Sequence, residues 1–150
     1  MSMFVRLGNL INNTLAGDYD AIMHGCNCFH GEDAGFAKQV WHSFPEARQS
    51  SIDDHEGGDF AAFGTYSMTY YKELGTTIIN AYTQYHGGPS FNIDAFINIL
   101  KQVNEDFEGC VIGVPLIGAG IGGGDWVEIQ EAMLRYAPNI GWRVIVWNGL

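Results

Sequence analysis

The chain has 150 residues, close to half of them apolar, and a formal net charge of −10. That acidity argues against recognition of a nucleic-acid backbone or an anionic membrane, but not against a small anion held by backbone amides. The apolar content and 20 glycines fit one globular domain over residues 1–150, long enough to bury about two-thirds of its unfolded surface, rather than a disordered chain.

Met3 to Leu7 is a short strand candidate that runs into Gly8-Asn9-Leu10, and Asn12-Asn13 reads as a polar turn. Ala21 to Asn27 is a second strand, short and largely apolar, as in sheets covered on both faces. It empties into a loop, Cys28 to Asp33. Ala34, Ala37, Val40 and Trp41 have helical spacing, which predicts a helix from Asp33 or Ala34 that stops before Pro45. Ser50 to Asp59 is polar and acidic and reads as a surface loop or helix end. Phe60 to Tyr71 and Thr76 to Tyr85 are rich in β-branched and aromatic residues around a Gly75 turn, predicting an antiparallel pair. Tyr85 to Pro89 breaks that pattern and is loop.

Asn92 to Phe107 places Ile93, Phe96, Ile97, Leu100, Val103 and Phe107 at intervals of three and four, the strongest helical signal in the chain. Cys110 to Pro115 reads as a strand, Asp125 to Tyr136 as a helix capped by Asp125, and Trp142 to Trp147 as a last strand. Strands alternating with helices predict an α/β layered fold with a mixed sheet. No apolar run approaches the ~20 residues of a membrane span. The start, Met1 to Arg6, lacks the features of a signal peptide. Three cysteines fit reduced thiols, so a cytoplasmic protein is expected.

Two glycine-bearing loops join a strand to a helix: Gly25 to Ala37, and Pro115 to Trp126 with Gly118, Gly120, Gly122, Gly123 and Gly124. Bare N–H groups and the positive end of a helix dipole suit a phosphate or diphosphate without a cationic side chain. The spacing matches neither a P-loop nor a dinucleotide fingerprint. In an open α/β sheet such loops face each other at the carboxyl ends of their strands.

Gly8-Asn9-Leu10, His24-Gly25-Cys26-Asn27-Cys28, Ala34-Gly35-Phe36-Ala37, Pro115 to Trp126, and the tail Val144 to Leu150 together resemble the macro domain, the ADP-ribose-binding fold. Within it they are most similar to the compact branch of yeast-type ADP-ribose 1″-phosphate phosphatases and terminal ADP-ribose glycohydrolases. The resemblance implies a three-layer α/β/α sandwich with a mixed central sheet, acting as a monomer without a cofactor. Its implied ligand is a small molecule, ADP-ribose or a derivative. It implies that Asn9, beside Leu10, accepts from the adenine amino group in place of the usual acidic residue, and that Trp147 packs on the base. Asn27 would hold the distal ribose, with Gly31, Ala34 and Gly35 on one side of the diphosphate and Gly118, Ala119, Gly120, Ile121 and Gly122 on the other.

Of the possible proton donors, His24 matches a histidine of the yeast-type phosphatase motif, while Asp33 and His86 stand in or beside the loops. His24, Cys26, Cys28 and His30 alternate and share one side of an extended strand, but neighbours ~6.5–7 Å apart do not converge on one ion, so no metal is expected. The two cysteines are expected as small buried side chains, not nucleophiles. The resemblance implies hydrolysis of ADP-ribose 1″-phosphate, with removal of ADP-ribose from a macromolecule or simple reading of the nucleotide as the alternatives. The glycohydrolase lysine falls on Gln84 and its aspartate on Gly122.

Overall fold

The computed structural model describes residues 2–31, 35–120 and 122–149. In chain order they form β1 (Met3–Gly8), α1 (Leu10–Leu15), β2 (Ala21–Asn27), α2 (Phe36–Ser43) and α3 (Pro45–Asp54). A 3-10 turn (Phe60–Ala62) leads to β3 (Tyr66–Tyr71), β4 (Thr76–Gln84), α4 (Ile93–Asp106), β5 (Val111–Val114), α5 (Trp126–Tyr136) and β6 (Gly141–Trp147). The sheet order is β1-β6-β5-β2-β4-β3; β3 pairs antiparallel with β4, and the other pairings among these strands are parallel.

Alternation along the strands builds both cores. Met23 and Ile79 pack with Phe96, Ile99 and Leu100 of α4 and Ile129 and Met133 of α5. Their neighbours Ile22 and Ile78 face the opposite layer, against Val40 and Trp41 of α2, Phe44, and Ala47 of α3. Each such large apolar side chain, fully buried, contributes roughly 1.5–3 kcal/mol. The result is the mixed α/β/α sandwich that the sequence resemblance implies.

Three local expectations are corrected. Asn12 and Asn13 lie inside α1, not in a turn, because Asn9 caps that helix through its Oδ1, which accepts from the Asn12 amide at 3.1 Å. Pro45 both stops α2 and opens α3 as its first residue, where a missing N–H costs nothing. The segment from Ser50, read as a surface loop or helix end, is the end of α3 as far as Asp54. Phe60 to Ala62 forms the 3-10 turn, so β3 begins only at Tyr66. Among described residues the second helix begins at Phe36, two or three residues beyond the predicted start at Asp33 or Ala34.

Strands β2, β4 and β5 are parallel, so their carboxyl ends, Asn27, Gln84 and Val114, lie along one edge of the sheet. The loops that leave them converge there.

Candidate functional site

A cavity of about 220 Å³ opens at that edge, lined by Asn27, Gly31, Gly35 and Ala37 on one side and Gly118, Gly120 and Gly122 on the other, with Gly25, Thr83, Gln84 and Gly87 among the residues between. It is smaller than the ~300–1,000 Å³ of pockets that enclose an entire drug-sized ligand. It is sized for one end of an extended molecule. A larger groove of about 850 Å³ runs along α1, α2 and α3, with Asn9, Lys38 and Arg48 in its walls.

Backbone conformation shapes the smaller cavity. Gly118 has φ 76°, and a Cβ there would meet the Phe91 ring at 2.4 Å, so no other residue fits. The loop folds on itself: the Gly118 carbonyl accepts from Gly124 N at 2.8 Å, the Gly120 carbonyl from Gly123 N at 3.1 Å, and the Gly122 carbonyl from Phe91 N at 3.0 Å. The carbonyls are engaged, while the amides of Gly118, Gly120 and Gly122 have no acceptor among the described residues. Across the cavity, α2 starts at Gly35 (φ 80°), which provides no side-chain cap, so its first-turn N–H groups have no capping side chain among the described residues. Two donor sets therefore border one concavity with no described carboxylate in its lining.

Side chains hold the remaining walls. Gln84 Nε2 donates to the carbonyls of His86 at 2.9 Å and Gly88 at 3.1 Å, which fixes the loop after β4. Asn27 Oδ1 accepts from Phe29 N at 2.9 Å and Gly31 N at 3.2 Å, closing the first loop. Its Nδ2 group, which lies 3.0 Å from where a Gly31 Cβ would be, donates to no described residue. Cys26 also lines the cavity, but burial pushes its thiol well above the usual range. It stays protonated at neutral pH.

The structure corrects the expectation for His24. It is fully buried on the opposite layer of the sheet, with its ring edge-on to Trp41. Asn80 Nδ2 donates to Ala47 O and Ser67 Oγ, so Asn80 Oδ1 is the acceptor for both His24 Nε2 (2.7 Å) and Trp41 Nε1 (3.0 Å). The proton therefore sits on Nε2, and burial lowers the His24 pKa to about 4 despite the opposing Asn80 bond. A neutral imidazole sealed from solvent does not reach a ligand in the cavity. Cys26 and Cys28 belong to the same buried cluster, and His30, at φ 60°, is tied to α3 through Ser51 Oγ (2.8 Å) and to the His55 carbonyl (2.9 Å).

Several other predicted residues lie apart from the cavity. Leu10 is 3% exposed and part of the core, so its side chain is unavailable, and Ala119 packs against the α4/α5 core instead of lining the loop. Asn9 lines the larger groove. Trp147 is 67% exposed at the end of β6, opposite Gly8 of β1, so it is not a core aromatic. His86 is exposed beside Gly87, and its Nδ1 donates to the Gly87 carbonyl at 3.2 Å. Asp33, Ala34 and Ile121 lie outside the described residues. Among those described, no group of three or more His, Cys, Asp or Glu is placed to hold a metal ion, and no helix is long and apolar enough to cross a membrane.

Thr83 and Gly25 were not among the expected site residues. Thr83 is 1% exposed, and its Oγ1 has no hydrogen-bond partner among the described residues. A threonine near a strand end carries no distinguishing pattern, whereas the glycine at 25, directly before the recognised Cys26-Asn27, was the available signal.

No family model matches the sequence. The chain is 34% identical over 135 residues to the uncharacterized 17.5 kDa protein in the tk-vs intergenic region of Enterobacteria phage T4, covering 86% of this chain and 87% of that protein. It belongs to the family of that phage protein. Among solved structures, the macrodomain of Thermus aquaticus DarG superposes with a TM-score of 0.73 at 22% identity, covering 98% of both chains. Thermosipho africanus DarTG, in complex with ADP-ribose, superposes with a TM-score of 0.72 at 17% identity over 93% of this chain and 39% of that one. The fold is that of a macrodomain. In this chain the two glycine loops meet at the carboxyl edge of the sheet.

Proposed function

We propose that this macrodomain binds ADP-ribose as a monomer and releases phosphate from ADP-ribose 1″-phosphate. One observation carries the reading: the amides of Gly118, Gly120 and Gly122, without an acceptor among the described residues, border the same cavity as the start of α2, which no described side chain caps. Such a donor set suits phosphoryl oxygens, and ADP-ribose supplies a diphosphate next to a sugar that fits a small cavity. The ADP-ribose held by Thermosipho africanus DarTG, a structural neighbour, supports the same ligand class.

In the hydrolysis, a water attacks phosphorus in line as the bond from phosphorus to the C1″ oxygen breaks. Amides facing the phosphoryl oxygens stabilise charge that builds in the transition state. The leaving oxygen needs a proton, and we assign that transfer to Asp33, which the chain places between the cavity-lining Gly31 and Gly35, with His86 at the rim as the second candidate. His24 takes no part.

A non-catalytic reading has its own support: the described side chains of the cavity include no carboxylate, imidazole or amine, and a site that only holds a nucleotide needs none. Phosphate release from ADP-ribose 1″-phosphate, measured beside calorimetric titration with ADP-ribose, separates the two. Turnover that falls in Asp33→Asn while ADP-ribose affinity is kept supports the phosphatase. Tight binding without turnover leaves a reader, and absence of both overturns the proposal.

A further inference from the structure

The glycine cavity contains a buried hydroxyl for which the described residues supply no partner. Thr83 Oγ1 is a buried oxygen with no hydrogen-bond partner among the described residues, on a residue 1% exposed that lines the glycine cavity. A buried hydroxyl without a partner lowers stability, so such groups are rare and need a reason.

Strand pairing explains how this side chain is aimed. Along β2 and β4, Cys26 stands opposite Tyr82 and Asn27 opposite Gln84, with the register shifting between them. Thr83 is the residue that this bulge leaves without a counterpart. Bulges re-aim side chains and recur beside functional sites. The neighbouring strand makes room: a Cβ at Gly25 would come 3.0 Å from Thr83 Oγ1, so glycine keeps the space over the hydroxyl open. Its flanking residues are committed elsewhere, Tyr82 OH to Ser51 and Ser67 and Gln84 to the following loop.

We infer that Thr83 is a specificity-determining residue that donates its hydroxyl hydrogen to an oxygen of the ligand on the floor of this cavity. The surrounding groups are amide donors, so the fitting ligand is rich in acceptors, a phosphoryl group in particular. The ligand's identity rests on the ADP-ribose reading, while the hydroxyl's lack of a partner among the described residues does not.

The test uses Thr83→Val, which keeps the shape and removes the hydroxyl, and Thr83→Ser, which keeps the hydroxyl. Three quantities are measured for each: Tm without ligand, affinity for ADP-ribose and affinity for inorganic diphosphate. Thr83→Val is expected to melt no lower than the parent and to bind about 10- to 100-fold more weakly, as for loss of a hydrogen bond to a charged group. Thr83→Ser is expected within about 3-fold of the parent. Unchanged affinity in a folded Thr83→Val overturns the inference, as does a lower Tm in Thr83→Val that Thr83→Ser restores, which would make the hydroxyl structural. If the parent binds diphosphate but not ADP-ribose, the ADP-ribose reading fails and Thr83 is judged on diphosphate. If it binds neither, both fail.

Discussion

His24 donates its Nε2 proton to the Asn80 side-chain oxygen across 2.7 Å, with both residues sealed from solvent. The pair joins β2 to β4 and anchors Trp41 of α2, so its loss is expected to be felt as stability. His24→Ala leaves a cavity and one fewer donor on Asn80, at a cost of about 2–4 kcal/mol by urea denaturation. Phosphate release per folded molecule is expected to stay unchanged. A variant that keeps its stability but loses turnover would return His24 to the chemistry.

The same residue sets a pH dependence. Its folded pKa of about 4 lies below the ordinary 6.5, so the unfolded chain takes up the proton first as pH falls. Stability is therefore full above about pH 6.5 and declines towards pH 4, where the folded protein titrates too, by at most about 1.4 kcal/mol per unit. Burial lowers the His30 pKa as well, in the same sense. Urea midpoints at pH 7.5 and 5 check this, and a flatter profile in His24→Ala identifies the group responsible.

Gly120 and Gly122 are not equivalent. A Cβ at Gly120 meets nothing within 4 Å, while one at Gly122 meets the Gly118 carbonyl at 3.0 Å and Gln84 Oε1 at 3.2 Å. Gly120→Val is expected to hold its Tm and lose ADP-ribose affinity, since the added methyls enter the space of the ligand. Gly122→Val is expected to lose about 1–3 kcal/mol of stability through crowding. Full affinity in Gly120→Val would make this loop a simple turn.

Trp147, 67% exposed, offers a base-stacking face at little structural cost. Trp147→Ala should weaken ADP-ribose binding by ~1–3 kcal/mol with almost no change in Tm. Calorimetry with ADP-ribose and with ribose 5-phosphate decides whether the loss follows the base.

Gln84 lines the cavity at the position where the family resemblance implies the glycohydrolase lysine, and the described lining has no amine. No Schiff base forms without one. Borohydride treatment during incubation with glutamate-linked ADP-ribosylated protein is expected to trap no adduct, and no ADP-ribose is expected in solution. Robust release would show that the site works by another route.

Much of this architecture was legible because periodicity reports burial. Ala21 to Asn27 was readable as a strand to the residue, and α4 followed from its apolar spacing; the structure adds the Asn92 cap, whose Oδ1 accepts from Ala95 N. Helix α1 was hidden because it buries only Leu10 and Thr14 and carries two asparagines, which favour turns. Helix α3 was hidden because it buries only Ala47 and Ser51, too few for a stripe. Alternation placed His24 and Cys26 on one side of β2, but it does not say which side faces the loops. Thr83 was illegible for another reason: its role comes from a bulge in strand pairing, which is long-range.

The parallel pairing of β1 with β6 sets Met3 opposite Trp142 and Gly8 opposite Trp147, joining nearly the whole described chain end to end. During synthesis, β1 therefore leaves the ribosome long before its neighbour exists. Until β6 arrives, Phe4, Val5 and Leu7, exposed even in the finished fold, form an unpaired apolar ribbon that invites chaperone capture or mispairing. The strand carrying Trp147 is thus the last to assemble, and a nascent chain stalled before β6 would hold both glycine loops yet lack that exposed tryptophan.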